Sequence, residues 1–257
     1  MKAAVPGFFI LITALVLSGC IGSPTSLPPE PTGTPPPSTA TPTPTIVWFP
    51  PTATPTPFLV PVITPTLDVH PGAGQVIFQD DFSDGEAWLL SQSPAASIAI
   101  GKYELTLALH QPGGYLYSLR KEPLLGDFYL EITASPNLCK DADEYGLLLR
   151  VTPSMEFYRF SLSCDGRVRV DKYFHGTASS PQPWTFSGAV PPGAPSTSRL
   201  GVWAKGREMR FYINDQYQFA ISDPSLPVGS LGVFVRSAGE NDLTVSFSDL
   251  IVREALE

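Results

Sequence analysis

Hydrophobic and polar positions alternate with a period of two through the chain from residue 73 onward. The pattern runs Tyr103, Leu105, Leu107, Leu109; then Phe128, Leu130, Ile132; then Tyr145, Leu147, Leu149, Val151; and later Leu231, Val233, Val235. Successive side chains of a strand point to opposite faces, so each run predicts a strand with one face turned to a core. No stretch keeps helical spacing for three turns. Short alternating runs broken by turn residues predict an all-β domain over residues 73–257, an antiparallel sandwich or barrel. A domain of that length buries roughly 70% of the surface its unfolded chain exposes.

The register of two hairpins follows from the requirement that facing residues share a side of the sheet. Pairing positions that sum to 307 sets Tyr145, Leu147 and Leu149 against Leu162, Phe160 and Tyr158, with Thr152-Pro153-Ser154-Met155 as the turn. In the next hairpin, a two-residue turn at Asp165-Gly166 would put Arg169 opposite Leu162, on the apolar side. A three-residue loop, Cys164-Asp165-Gly166, instead opposes Leu162 with Val168 and Phe160 with Val170, and ends on a glycine suited to a left-handed conformation. A turn at Lys205-Gly206 would match Val202 with Met209 and Leu200 with Phe211.

Before residue 73 the alternation stops. Lys2 precedes an apolar run from Ala3 to Leu17, about 15 residues and shorter than the roughly 20 that span a bilayer. This charge and length predict a secretory signal over residues 1–19. Leu17-Ser18-Gly19-Cys20 resembles the bacterial lipoprotein lipobox. That resemblance implies cleavage before Cys20, diacylglycerol on its sulfur and acylation of its new amino group. Several acyl chains make attachment stable, since each buried methylene contributes about 0.8 kcal/mol. The expected location is therefore the extracytoplasmic side of the cell membrane. Residues 20–72 follow as a spacer with repeats such as Thr41-Pro42-Thr43-Pro44-Thr45. Proline removes backbone donors and these residues supply little surface to bury, so an extended, disordered tether is expected. Fully stretched, it would reach on the order of 150 Å.

Composition narrows the function. The formal net charge of the 257-residue chain is −8, from 16 basic and 24 acidic side chains, which argues against nucleic-acid binding. Of three cysteines, assigning Cys20 to lipid leaves Cys139 and Cys164 as one pair. Both fall on the apolar side of their strands, and export permits a disulfide. In the 307 register Cys164 faces Asp143, so the segment from Cys139 to Asp143 must curl to close the bridge.

Several stretches resemble the concanavalin A-like lectin and glucanase superfamily, in particular its laminin-G-like and 3-keto-disaccharide-hydrolase-like domains. They are Phe78-Gln79-Asp80-Asp81-Phe82 followed by Trp88, Leu200-Gly201-Val202-Trp203-Ala204 through Phe211-Tyr212-Ile213-Asn214, Gly229-Ser230-Leu231-Gly232-Val233, and Val245 through Val252. The resemblance implies a jelly-roll sandwich of about twelve strands with the first and last strands adjacent. It transfers no activity.

Candidate chemistry is sparse. The Glu-x-Asp-x-x-Glu run of the family 16 glucanases is missing. Catalysis would need dispersed carboxylates, such as Asp143 with Glu156 or Glu208, about 5 Å apart for a retaining enzyme. His110 and His175 have no nearby metal-ligating partners, so zinc is not expected. A structural calcium ion is a candidate cofactor, at Asp81 with Asp249, as the resemblance implies near the terminal strands, or at Asp141 with Asp143. Exposed aromatics give the better lead, because sugar rings stack on them. Trp184 and Tyr173 lie in a Pro-, Ser- and Gly-rich stretch from Tyr173 to Ser198, expected to be a long loop. Trp203, Tyr212 and Arg210 alternate with core positions on the opposite face of their strands, where a covering loop is the competing reading. The expected role is a membrane-anchored, monomeric lipoprotein whose sandwich binds a glycan or another surface ligand without catalysis. An envelope protein partner and a glycoside-active enzyme are the alternatives.

Overall fold

The computed structural model of the protein describes residues 72–239 and 241–256. The expectations for the signal, Cys20 and the spacer lie outside the described residues. Fifteen strands are assigned among these residues: β1 (Ala73–Asp80), β2 (Ser91–Gln92), β3 (Ala96–Gly101), β4 (Glu104–Leu109), β5 (Tyr115–Leu119), β6 (Phe128–Leu138), β7 (Glu144–Val151), β8 (Phe157–Ser163), β9 (Arg167–Phe174), β10 (Thr177–Phe186), β11 (Ser198–Lys205), β12 (Glu208–Ile213), β13 (Gln216–Ser222), β14 (Ser230–Arg236) and β15 (Leu243–Ala255). They form two antiparallel sheets packed as a jelly-roll sandwich. One has nine strands, in the order β13-β12-β11-β6-β15-β4-β3-β2, with β1 also paired to β15. The other has six, in the order β10-β9-β8-β7-β14-β5.

Alternation places the core. Leu105, Leu107, Leu130, Ile132, Leu200, Val202, Phe211, Val245 and Phe247 project from the larger sheet onto Tyr145, Leu147, Phe160, Leu162, Val168, Val170 and Val233 of the smaller. The first and last strands are neighbours, with Asp80 opposite Leu250 and Ala73 opposite Ala255. β15 pairs β4 over Leu243–Phe247 and then β1 from Leu250, and Asp249 sits at this change of partner with φ +53°.

The central hairpins have the registers that alternation predicts. Tyr145, Leu147 and Leu149 face Leu162, Phe160 and Tyr158, while Leu162 and Phe160 face Val168 and Val170. Two expectations change. The β11–β12 turn is Gly206-Arg207 rather than Lys205-Gly206, so Val202 faces Phe211 and Leu200 faces Ile213. A slip of two keeps every side chain on its face, so alternation alone does not distinguish these registers. Gly206, at φ +56°, takes the first central position, where glycine accepts positive φ. The stretch expected as a loop from Tyr173 to Ser198 contains strand β10. Pro181 and Pro183 lack donors, but β10 is an edge strand with register shifts between Ser179 and Gln182 and between Gln182 and Thr185. Proline is tolerated at such irregular edges.

A Cys139–Cys164 disulfide is present, with Cα atoms 5.9 Å apart. Past the Glu144–Ser163 pair, Cys164 N–H donates to Asp143 O at 3.0 Å. A turn closed by Asp143 N–H on Lys140 O then folds Cys139 back onto Cys164. At the opposite end of β7, buried Arg150 has φ +51°. It donates to the carbonyls of Gly206, Leu226 and Gly126 at 2.9, 3.0 and 2.7 Å, tying three connections together.

Candidate functional site

On the six-stranded sheet, the residues between the core positions face away from the larger sheet and form rows across the strands. Arg236, Glu144 and Ser163 make one row, Phe234, Gly146, Ser161 and Arg169 the next, and Leu148, Arg159 and Asp171 the third. β5 extends the first two rows with Tyr115 and Tyr117. Gly146 is required at its place, because a Cβ there would lie 2.0 Å from Phe160 O. The middle row therefore carries no side chain between Phe234 and Ser161.

Charges on this face are buried to an unusual degree. The side chains of Glu144, Asp171 and Arg159 are 4%, 5% and 6% exposed. Arg159 Nη2 and Arg169 Nη2 each lie 2.7 Å from Asp171 Oδ2, and Ser180 Oγ donates to Asp171 Oδ1 at 2.6 Å. Glu144 pairs through Oε1 with Arg236. Burial pushes the Arg159 guanidinium down, but the hydrogen bond to Asp171 and the neighbouring negative charges outweigh it and raise its pKa. Aromatic rings frame the array. The Arg159 guanidinium is 5.1 Å from the Tyr173 ring centre, 5.4 Å from Phe234 and 6.0 Å from Tyr115. Burial pushes the Tyr115 hydroxyl up to about 12. Trp184 caps the far side, with Arg169 at 4.6 Å and Arg167 at 5.1 Å from its ring.

The structure brings Tyr173 and Trp184 to this face but not Trp203, Tyr212 or Arg210. Those three project from the outer side of the nine-stranded sheet, so Trp184 and Trp203 share no groove. Trp203 and Tyr212 are buried with Tyr129 and Ala255. Trp203 Nε1 donates to Leu256 O at 3.0 Å, and Arg210 lies over the indole at 4.3 Å while pairing with Glu208. The expected stacking platform is covered by the end of β15 and by Arg210.

The acidic candidates also separate. Asp143 is buried, with Oδ1 accepting from Ala238 N–H at 2.8 Å and Oδ2 from Lys140 N–H at 3.0 Å. It is a loop clamp, while Asp141 is exposed. Asp81 and Asp249 do line one cleft, of about 390 Å³, with Asp80. Asp80 is occupied by Trp88 Nε1 and Arg120 Nε at 3.0 and 3.2 Å. Among the described residues, no three His, Cys, Asp or Glu side chains are grouped to hold a metal ion. The carboxylate pairs considered for catalysis do not converge. Asp143 and Glu156 lie beyond opposite ends of eight-residue β7, a separation of about 25 Å at the usual strand rise. Glu208 belongs to the other sheet, two residues past Gly206, whose carbonyl accepts from Arg150 at the end of β7 opposite Asp143.

No protein-family model matches the chain, and no curated protein sequence does. Solved structures give the fold. The carbohydrate-binding module CBM66 from Bacillus subtilis superposes with a TM-score of 0.52 and 17% identity over 65% of this chain and 96% of its own. A Bacillus subtilis protein with a galectin-like fold gives 0.56, 14% identity, 73% and 99%. The catalytic domain of an endo-1,3-β-glucanase (laminarinase) from Thermotoga petrophila gives 0.53, 10% identity, 73% and 100%. At these identities the likeness is one of architecture, shared by binding and catalytic domains alike.

Glu144, Arg159, Arg169 and Asp171 were not singled out from the sequence as site residues. The available signal was charge recurring at every second position, Arg159 on β8 and Arg167, Arg169 and Asp171 on β9, on the face that the hairpin registers assign to the outside.

Proposed function

We propose that the protein is a lipoprotein, anchored through Cys20 to the extracytoplasmic side of the membrane, whose sandwich binds carbohydrate without catalysis. The binding surface is the outer face of the six-stranded sheet. The observation that carries the reading is the buried Glu144–Arg159–Asp171–Arg169 array framed by Tyr115, Tyr173 and Trp184. Aromatic rings supply stacking faces for a sugar, and fixed charged groups supply strong, directional hydrogen bonds. Such a site orients a ligand with few moving parts, since its charges are held by one another. The likeness to a carbohydrate-binding module and a galectin-like protein supports this reading. The scattered positions of Asp143, Glu156 and Glu208 support the non-catalytic part. The test is binding of the full-length protein to a polysaccharide panel, with product analysis of the same mixtures. Binding without released sugar is expected, and metabolic labelling with a fatty acid should depend on Cys20. Absence of binding to every polysaccharide, or release of oligosaccharides, would overturn the corresponding part.

A further inference from the structure

Six buried side-chain polar atoms among the described residues make no hydrogen bond, and four of them lie on this one face: Glu144 Oε2, Arg159 Nε, Arg169 Nε and Ser161 Oγ. Arg169 Nη2 and Arg159 Nη2 lie 3.7 and 3.9 Å from Glu144 Oε2. Buried polar groups are rarely left unpaired, and a group of them in one place calls for a ligand with matching chemistry. The chemistry is mixed. The carboxylate oxygen needs a donor, the two guanidinium nitrogens need acceptors, and the serine hydroxyl serves as either.

Resting on the carbohydrate reading above, we infer that the ligand is a neutral sugar whose adjacent hydroxyl groups bridge Glu144 and the Arg159–Arg169 pair. A hydroxyl donates and accepts at once, so two neighbouring hydroxyls satisfy both signs of this array. A uronic acid or sulfated sugar also satisfies the arginines, but its anionic group beside them brings a second negative charge against Glu144 Oε2, which that group cannot supply with a proton donor. The −8 net charge of the chain adds to that penalty for a polyanion. Glu144 thus sets specificity by rejecting acidic sugars as well as by binding hydroxyls. Access runs past Arg236, whose side chain is 45% exposed at the rim. Rotation of Arg236 away from Glu144 Oε1 would open the carboxylate to the ligand, while Asp171 keeps Arg159 and Arg169 in place.

The experiment is calorimetry of the full-length protein with neutral glucans, fructans and galactans and with polygalacturonate and chondroitin sulfate, each at about 0.05 and 0.5 M NaCl. At least one neutral polymer should bind, with affinity changing less than about twofold between the two salts, because few ions are released. The acidic polymers should show no binding. Glu144→Gln, close in shape, should lower affinity at least about tenfold. If that variant fails to fold, the wild-type panel still decides. Binding of an acidic polymer with steep salt dependence would overturn this inference and leave carbohydrate binding standing. Unchanged affinity in Glu144→Gln would do the same. Binding to no polymer of either class would overturn both.

Discussion

Trp203 on β11 and Trp184 on β10 both stand on outward faces of the sandwich with a guanidinium stacked on the ring, at 4.3 Å for Arg210 and 4.6 Å for Arg169. Their surroundings differ. Around Trp203 the chain's last residues close in: Leu256 O takes the indole N–H, and Tyr129, Tyr212 and Ala255 complete a buried cluster. Around Trp184 and Tyr173 the edge strand stops short of such a cover, and both rings remain partly exposed beside charged groups with unmade hydrogen bonds. Outward alternation therefore does not identify a binding face. What separates the two faces is whether a neighbouring segment spends the polar and aromatic surface on the fold itself.

The comparison breaks first at Trp203. Trp203→Ala should cost about 3–5 kcal/mol, as for other large buried aromatics, read by urea unfolding, and should leave carbohydrate binding by the folded fraction unchanged. Weakened binding in a protein of undiminished stability would mean that the covered face is the functional one. Next is the disulfide, which fastens the loop before Glu144 to the β8–β9 hairpin. Removing it by a Cys139→Ser and Cys164→Ser double substitution should lower stability by about 3 kcal/mol on the chain-entropy account for a loop of this size. The separation between the cysteines is 25 residues. A loss below about 1 kcal/mol would show that the turn at Lys140–Asp143 holds without it.

Legibility in the sequence followed the same division. The hairpin registers of β7, β8 and β9 were readable because one side of each strand is continuously apolar, as in Tyr158, Phe160 and Leu162. The β11–β12 register was not, since a slip of two preserves that pattern and Gly206 accepts positive φ at either central position of the turn. β10 was hidden by Pro181 and Pro183, which mark loops unless an edge strand absorbs them in bulges. The site was partly hidden in another way. Arg169 served to choose a register because a charge does not belong on the apolar face, yet its value lies on the other face, where Glu144 arrives from a different strand and Asp171 from two residues along. Such convergence is tertiary, and local pattern does not carry it.

Trp184→Ala sharpens the comparison from the open side. The ring is half-buried on an edge strand, so stability should fall by no more than about 1 kcal/mol while affinity for the bound polysaccharide drops about tenfold or more, equal to about 1.4 kcal/mol. A large stability loss with intact binding would make Trp184 the counterpart of Trp203, a structural ring.

The smallest effect separates a carboxylate with finished bonds from Glu144. Asp223 accepts from Tyr158 Oη at 2.9 Å and Ser225 N–H at 2.8 Å and pairs with Lys172, joining the connection after β13 to the six-stranded sheet. Burial favours its neutral form, but the Lys172 ammonium and the hydrogen bonds from Ser225 and Tyr158 outweigh it and hold the carboxyl well below the usual range. A folded-state pKa depressed in this way contributes stability above the unfolded value of about 3.9 and loses it as pH falls further. The wild type should therefore lose its advantage over Asp223→Asn steadily below about pH 4, with the two unfolding curves converging in acid. A constant gap down to pH 2 would show that Asp223 acts through packing rather than through its charge.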